Sequence, residues 1–529
     1  MDYGFPYTSQ RSPVLGRNVV ATSQPLAAQA GLQMLLRGGS AADAAVAAAM
    51  VLTVVEPTGC GVGSDAFALY WDGTSLQGLN ASGRAPGAWT PDYFGAQGQI
   101  PARGWNAVTV PGAVSGWIAL HQRYGRLPLA DVAAPAIGYA RDGFTLSPII
   151  ATLWANGARQ LKDQPGFADE FMPGGHVPVA GDIIRRPALA RTLHEIASTA
   201  GESFYRGDLA RKMVDDAARH GGAMTMADLD AHRADWVTPL AQPFGGALVH
   251  EIPPNGQGIA TLIALGLLGP WDITAHDVDS VAATHLMIEA TKLALADADR
   301  FVADVDAMEF TPDALLAPDY LAARSQLIDP AVAGAPGHGA PRPGGTVYLT
   351  AADADGHMVS FIQSNYMGFG SGVVVPDTGI SLQNRGAGFN VQAGHPNCVA
   401  PHKRPFHTII PGFVTTADGT APLMSFGVMG GPMQAQGHLQ MAVRVLAYGQ
   451  NPQAAADAPR WRVLDGRRVA VEATFPPALV DGLRALGHDI IVESPDGVFG
   501  FGGAQLIVAQ EGGYVAGSDP RKDGQAVAF

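Results

Sequence analysis

Layered α and β structure around a large buried core is the architecture this sequence specifies, and three observations point to it. Hydrophobic residues make up 47% and charged residues only 15% of 529 residues, a balance suited to a large, deeply buried globular protein. Alanine-rich stretches with helical spacing alternate with short β-branched and aromatic runs, so helices and strands share one chain. No internal repeat appears, and one Pro/Gly-rich passage, residues 333–345, is the single strong internal boundary.

From the amino terminus, "SQPLAAQAGLQMLLRGG" predicts a helix from about Pro25 to Arg37, stopped by Gly38 and Gly39. Ser40 then caps a second helix, "SAADAAVAAAMVLTVVEP", that runs to about Val55 before Pro57. The small alanine side chains suit close approach of this pair to a sheet. "DAFALYWDGTSLQGLNASG" alternates around a WDG turn and predicts a hairpin. "GWNAVTVPGAVSGWIALHQRYG" predicts a strand, a turn and a helix. Helical patterns fill Arg186 to about His232, and again "SVAATHLMIEATKLALADADRFVAD" onward to Asp319. Beyond Thr346 strands dominate, with "MAVRVLAYG" and "PALVDGLRALG" as helices.

Charge and cysteine content narrow the function. A net charge of −14 leaves no basic footprint for a polyphosphate backbone, which excludes nucleic acid as a partner class. Cys60 and Cys398 are too few for a disulfide framework and are compatible with a reducing compartment. The amino terminus lacks a signal-peptide pattern, and no uninterrupted apolar run reaches membrane length, so the expectation is a soluble cytoplasmic protein without a membrane partner.

The chemistry concentrates where the Pro/Gly-rich passage meets a strand. "TVYLTA", the turn "DADG" and "HMVSFIQSN" form a hairpin that begins on a hydroxyl residue, Thr346, directly after Gly344 and Gly345. A threonine opening a strand is ordinarily a β-branched strand former. If the Gly345–Thr346 bond were broken, however, Thr346 would carry a hydroxyl nucleophile and a free α-amine whose pKa of about 7.7–8.0 suits a general base. The glycines would leave the Gly345 carbonyl unhindered to attack. Ser364 and Asn365 fall near the open end of the hairpin, where they reach the hydroxyl or a substrate, or serve as turn-proximal polar residues. Gly430 and Gly431 in "FGVMGGPMQAQGH" precede a helical pattern and offer backbone N–H groups to an oxyanion, or form a plain helix-entry turn.

Other chemistries fit less well. "GCGVGSDA" has its third glycine misplaced for a phosphate loop and no Lys-Ser/Thr after it, and predicts a tight turn beneath a site. Asp297, Asp299, Asp304 and Asp306 lack the central glycine and final glutamate of an EF-hand and predict a solvated helix end. His338, His357, His395, His402, His407 and His438 show no zinc-protease spacing.

"GGTVYLTAADADGHMVSFIQSNYMGFGSGVVVPDTGISLQNRG" resembles the catalytic segment of the γ-glutamyltranspeptidase family, nearest to bacterial glutathione hydrolase-like proenzymes. The likeness extends over nearly the whole chain through "SQPLAAQAGLQMLLRGGSAADAAVAA", "ASGRAP", "PPNGQGIATLIALGLL", "KRPFHTIIP" and "GVMGG". It implies an N-terminal nucleophile hydrolase with a four-layer αββα sandwich, made as a proenzyme and cleaved by itself between Gly345 and Thr346. The implied products are a large subunit, residues 1–345, and a small one, residues 346–529, held together as a heterodimer. The resemblance implies Thr346 as nucleophile, Ser364 where the family has a hydrogen-bonding threonine, and Gly430 with Gly431 as oxyanion hole. It implies no metal or organic cofactor. The implied substrate is a small-molecule amide, glutathione or another γ-glutamyl compound, with transfer to water or an acceptor amine.

The departures bear on the acyl group. The family's carboxylate-gripping arginine falls on Ser82, with Arg84 displaced by two. Its paired serines become His407 and Thr408, and the residues that hold the α-amino group fall on Tyr366, Arg385 and Gly388. No acid replaces the missing ammonium partner, and Arg385 brings a positive charge that favours a carboxylate. Arg84, Tyr366, Arg385, His407 and Thr408 are therefore the substrate-binding candidates. The segment Phe389 to Lys403 is too short for the lid of some members, which implies a more open mouth. Two rivals stand beside the γ-glutamyl reading: an amidohydrolase or acylase for another carboxylated amide, and an unprocessed, catalytically silent binding protein.

Overall fold

The computed structural model describes residues 10–95, 98–336, 345–493 and 500–529. Most of the Pro/Gly-rich passage, residues 337–344 with His338, lies outside the described residues. Two seven-stranded sheets face each other at the centre. The first runs in the order Gln525–Ala528, Val19–Thr22, Gly345–Ala352, Met358–Tyr366, Asp65–Trp71, Leu76–Ala81, Asp235–Val237. The second runs Val14–Gly16, Gly513–Ser518, Gly503–Gln510, Pro422–Met429, Gly412–Thr416, Ala247–Glu251, Leu240–Phe244. Every pairing in both sheets is antiparallel.

Helices cover the outer face of each sheet, which completes the αββα sandwich. Pro25–Leu36 and Ala41–Val55 lie on the first sheet; Gly258–Leu268, Met433–Ala442 and Pro452–Asp457 lie on the second. Ser40 caps the second helix through a capping box with Asp43, as its position predicts. All fifteen residues of that helix are buried, and its alanines bring it close to its neighbours: a Cβ on Gly31 would stand 3.0 Å from the Ala44 carbonyl oxygen. Because each sheet is covered on both faces, its central strands lose the apolar–polar alternation of a half-exposed sheet, and all nine residues of Met358–Tyr366 are buried. The sheets meet closely at Gly427, where a Cβ would lie 2.3 Å from the Tyr348 ring.

Two local expectations change. The passage before the helix Ala113–Tyr124 forms a short 3-10 turn, Trp105–Ala107, and an unpaired extended run instead of a strand. Its amides are taken by other partners: Val110 N–H donates to Arg84 O and Gly112 N–H to Asp65. The acids near residue 300 are not a solvated helix end throughout. Asp297 is buried against Arg324 at 2.6 Å and Tyr320 at 2.9 Å, and Asp304 accepts the Arg404 N–H at 2.7 Å. Among the described residues no helix is long and apolar enough to cross a membrane.

Candidate active site

Thr346 sits on an inner strand of the first sheet and is fully buried. The ladder pairs Gly345 with Tyr366 but Val347 with Gln363, so Ser364 and Asn365 together oppose Thr346. This bulge bends the return strand and aims Ser364 at the nucleophile candidate. Thr346 Oγ1 lies 3.2 Å from Ser364 Oγ and accepts from Gln434 Nε2 at 3.3 Å. Ser364 Oγ also accepts the Tyr366 N–H at 2.8 Å, and Tyr366 adopts the left-handed backbone at φ 76° just after the bulge.

Gly430 and Gly431 follow the strand Pro422–Met429 and lead through Pro432 into the helix Met433–Ala442. Their φ values of 125° and 61° lie where a side chain is strained, which explains glycine at both positions. Their carbonyls are engaged: Met433 N–H donates to Gly430 O at 3.2 Å, and Gln434 N–H and Gln257 Nε2 each donate to Gly431 O at 3.0 Å. Gln434, one turn beyond the glycines, thus ties them to the Thr346 hydroxyl. Its own Oε1 is held by the Ile410 N–H at 3.0 Å.

Arg385 is the dominant charge nearby. It opens the short turn Arg385–Gly388 and is 1% exposed. Its Nη1 donates to Thr408 Oγ1 at 2.8 Å, and its guanidinium carbon lies 4.6 Å from the Tyr366 ring centroid. Its Nε and Nη2 are buried and have no hydrogen-bond partner. Burial lowers its pKa to about 10, opposed by Asp65.

Asp65 and His407 lie behind it. Asp65 is paired across the ladder with Ser364 and accepts the Gly83 and Gly112 N–H groups at 3.1 and 3.0 Å. His407 Nε2 stands 3.1 Å from Asp65 Oδ2. Burial raises Asp65 to about 7 against the lowering effect of Arg385, the two amides and Arg404. Burial, with Arg385 and Arg404, holds His407 well below its ordinary value and therefore neutral. Because Ile409 N–H donates to Nδ1, the proton sits on Nε2 and points to Asp65.

A cleft of about 270 Å³ opens beside this group. Tyr366, Thr408, Gln257 and Pro432 line it together with Phe389, Asn390, His395, Asn397 and Phe406, and with Leu295, Ala298 and Asp299 of the helix Val281–Phe301 and the following Val302. The short segment after Phe389 thus lines the mouth. Phe389 and Val399 pack there with Trp89 and Phe94 in a small separate core.

The structure brings Thr346, Ser364, Gly431 with its chain neighbour Gly430, Tyr366, Arg385 and Thr408 into one linked group and leaves two candidates outside it. Arg84 points outward to His402 O, Asp304 and Asp235. His407 turns to Asp65 instead of the cleft. Thr346 and Arg385 are buried and do not themselves line the cleft, which the linked group meets through Tyr366 and Thr408. The histidines are dispersed: His357 pairs with Asp353 at 3.0 Å and His438 with Glu251 at 2.6 Å. Among the described residues His285, Glu289 and His488 form a buried cluster of metal-ligand type, but the Lys292 ammonium already fills its cation place, 2.8 Å from Glu289. Both cysteines are free thiols. Sequence reasoning missed Gln434, Gln257 and Asp65; the one available signal was an acid heading the otherwise apolar strand "DAFALYW".

Residues 27–529 match the family described as Gamma-glutamyltranspeptidase. The chain is 36% identical to the glutathione hydrolase-like YwrD proenzyme of Bacillus subtilis, over 98% of this chain and all of that protein. It is 38% identical to the oxamate amidohydrolase proenzyme of Klebsiella pneumoniae, over 95% of this chain and 97% of that one. A crystal structure of a cephalosporin acylase from Bacillus halodurans superposes with a TM-score of 0.95 at 45% identity, over 100% of this chain and 99% of the other.

Proposed function

This chain belongs to the γ-glutamyltranspeptidase family and is an enzyme, and on that footing we propose that it matures by cutting itself between Gly345 and Thr346 and then hydrolyses small amides whose acyl group carries a carboxylate. In maturation the Thr346 hydroxyl attacks the Gly345 carbonyl carbon. The peptide C–N bond breaks as the ester C–O bond forms, and the hydroxyl proton passes to the departing nitrogen. Water then cleaves the ester, leaving residues 1–345 and 346–529 as large and small subunits. In turnover the freed α-amine accepts the hydroxyl proton while Thr346 Oγ1 bonds to the substrate carbonyl. The proton goes to the leaving amine, and water, or an acceptor amine, releases the acyl group. Gly430 and Gly431 N–H groups hold the developing oxyanion, and Ser364 with Gln434 orients the hydroxyl.

Arg385 carries the substrate reading. A buried guanidinium with Nε and Nη2 both idle suits a planar carboxylate held by two parallel hydrogen bonds. Among the described residues that line the cleft Asp299 is the one acid, so little is available there for an α-ammonium. The reading is therefore an amidohydrolase or acylase for a carboxylated acyl group that need not be γ-glutamyl, in keeping with relatives named oxamate amidohydrolase and cephalosporin acylase. The glutathione hydrolase-like relative and Asp299 favour a γ-glutamyl substrate as the second reading. Comparing kcat/KM for glutaryl and γ-glutamyl p-nitroanilide decides between them. Near parity is expected. A preference of about a hundred-fold for the γ-glutamyl amide, the size of a lost charged hydrogen bond, overturns the first reading, and its disappearance in Asp299→Asn would name the ammonium partner.

A further inference from the structure

A cation as buried as Arg385 needs a resident counter-charge, because an isolated ion in a water-poor interior is costly. The groups around it identify that charge. Thr408, which accepts from Arg385 Nη1, carries no charge, and of the two groups that act to raise the Arg385 pKa, Asp65 outweighs Tyr366 beneath the guanidinium. The next residue along the chain, His407, hands the contact to Asp65 at 3.1 Å, 342 residues away in sequence. Asp65 is fixed from three sides: by the Gly83 amide, by the Gly112 amide and by His407. Its ladder partner Ser364 places it in the cross-strand row that reaches Thr346. Thus a carboxylate fixed by two amides and His407 acts on Arg385, while Nε and Nη2 are left for another anion.

We propose that Asp65, together with His407, is the resident counter-ion of Arg385, and that the pair takes up one proton from water when a carboxylate-bearing acyl group binds beside the guanidinium. The inference rests on the carboxylate reading above. Without ligand, the charges of Asp65 and Arg385 cancel. A bound carboxylate adds a second negative charge in a site that cannot solvate it, and one proton restores neutrality. The incoming proton arrives on His407 Nδ1, which gives up the long 3.4 Å hydrogen bond it accepts from the Ile409 N–H, and the Nε2 proton passes to Asp65 Oδ2. The Asp65–His407 hydrogen bond then runs in the opposite sense, with Oδ2–H as donor. The charged groups acting on Asp65 are Arg385 and Arg404, and Tyr205 lies within its field. The Asp65 value of about 7 leaves the pair able to exchange that proton at neutral pH.

Asp65 is thus a positioning residue that tunes the charge Arg385 presents. The test uses the processed wild-type enzyme with glutarate as probe. Infrared difference spectra with isotope-labelled glutarate, whose own bands are displaced, should gain a protonated-carboxyl stretch on binding. Titration calorimetry in buffers of different ionisation enthalpy should show uptake of about half a proton near pH 7 and more near pH 8, as expected for a group half ionised at its pKa. Asp65→Asn, which keeps an acceptor for both amides, should lose the band and the part of the uptake that Asp65 carries. Glutarate that binds without the new band, or a band that persists in Asp65→Asn, overturns the proposal while leaving the carboxylate reading intact. Glutarate that does not bind at millimolar concentration overturns the carboxylate reading itself and the counter-ion proposal with it.

Discussion

Arg385→Gln removes one charge and shortens the side chain, so that its amide stands near the wild-type Nε position and Thr408 Oγ1 loses its Nη1 donor. In the wild-type enzyme Nη1 is already engaged with Thr408 at 2.8 Å, so the groups free for a substrate carboxylate are Nε and Nη2. Two charged hydrogen bonds are worth about 1.5–3 kcal/mol each, and a single neutral amide donor returns about 1 kcal/mol. The net loss is about 2–5 kcal/mol, or about thirty-fold to a few thousand-fold in kcat/KM. The loss should fall on glutaryl p-nitroanilide and spare butyryl p-nitroanilide, in which hydrogen replaces the distal carboxylate. The assay is the ratio of the two kcat/KM values, measured on variant protein already shown to have split into two fragments. If both substrates lose activity together, Arg385 supports the site's structure instead of reading the acyl group. If neither does, the carboxylate is held elsewhere.

Thr346→Ala should purify as one 54.8 kDa chain without amidase activity, while the wild type yields two fragments in intact-mass spectra; two fragments from the alanine variant would refute hydroxyl attack on Gly345. Ser364→Ala removes the 3.2 Å contact to Thr346 Oγ1 and leaves the Tyr366 N–H without its acceptor. Maturation and turnover should both slow by about two- to ten-fold, the range of one ordinary hydrogen bond, and an unchanged maturation time course would remove Ser364 from the mechanism. Asp65 also links folding to pH. Its folded value of about 7 lies above the unfolded 3.8, so its stabilising proton is fully bound below pH 3.8 and is lost as pH rises through 7. That loss amounts to about 4 kcal/mol at most. Melting curves from pH 5 to 8 should therefore fall less steeply for Asp65→Asn than for wild type, and parallel curves would contradict the raised value.

What could be read from sequence was local. The helix pair Pro25–Leu36 and Ala41–Val55, with Ser40 as cap, is encoded by neighbours three and four apart. The hairpin at Thr346 is likewise announced by its own turn. The αββα layering came through resemblance, because two sheets whose strands are buried on both faces carry little alternation to count. Long-range pairing was illegible. Nothing local marks Asp65 as the partner of His407, nor Gln434 as a donor to Thr346, since each contact joins segments brought together only by the sandwich. Arg84 shows the same limit from the other side. It lies only two residues from the aligned position, yet its chain turns it out toward Asp235 and Asp304, while Arg385 takes the interior. The strand expected near Val108 failed because its amides found partners outside any ladder.

In the first sheet, Val19–Thr22 is hydrogen-bonded on one side to Gln525–Ala528 and on the other to Gly345–Ala352. A cut before Thr346 would therefore leave a strand of the amino-terminal fragment gripped between two strands of the carboxy-terminal one, and the reverse holds for the hairpin of Gly345–Ala352 and Met358–Tyr366, which lies between Val19–Thr22 and Asp65–Trp71. The two fragments would have no seam along which to part, so separating them would require dismantling the sheet. Maturation would thereby change the kinetics of loss more than the fold itself. The precursor can re-form its sheet within one chain, whereas a melted pair of fragments must first meet, in a step second order in concentration and in competition with aggregation of exposed strands. The cut would make the enzyme's folding history irreversible: it is assembled once, as a single chain, and thereafter persists for as long as the barrier to opening that sheet holds.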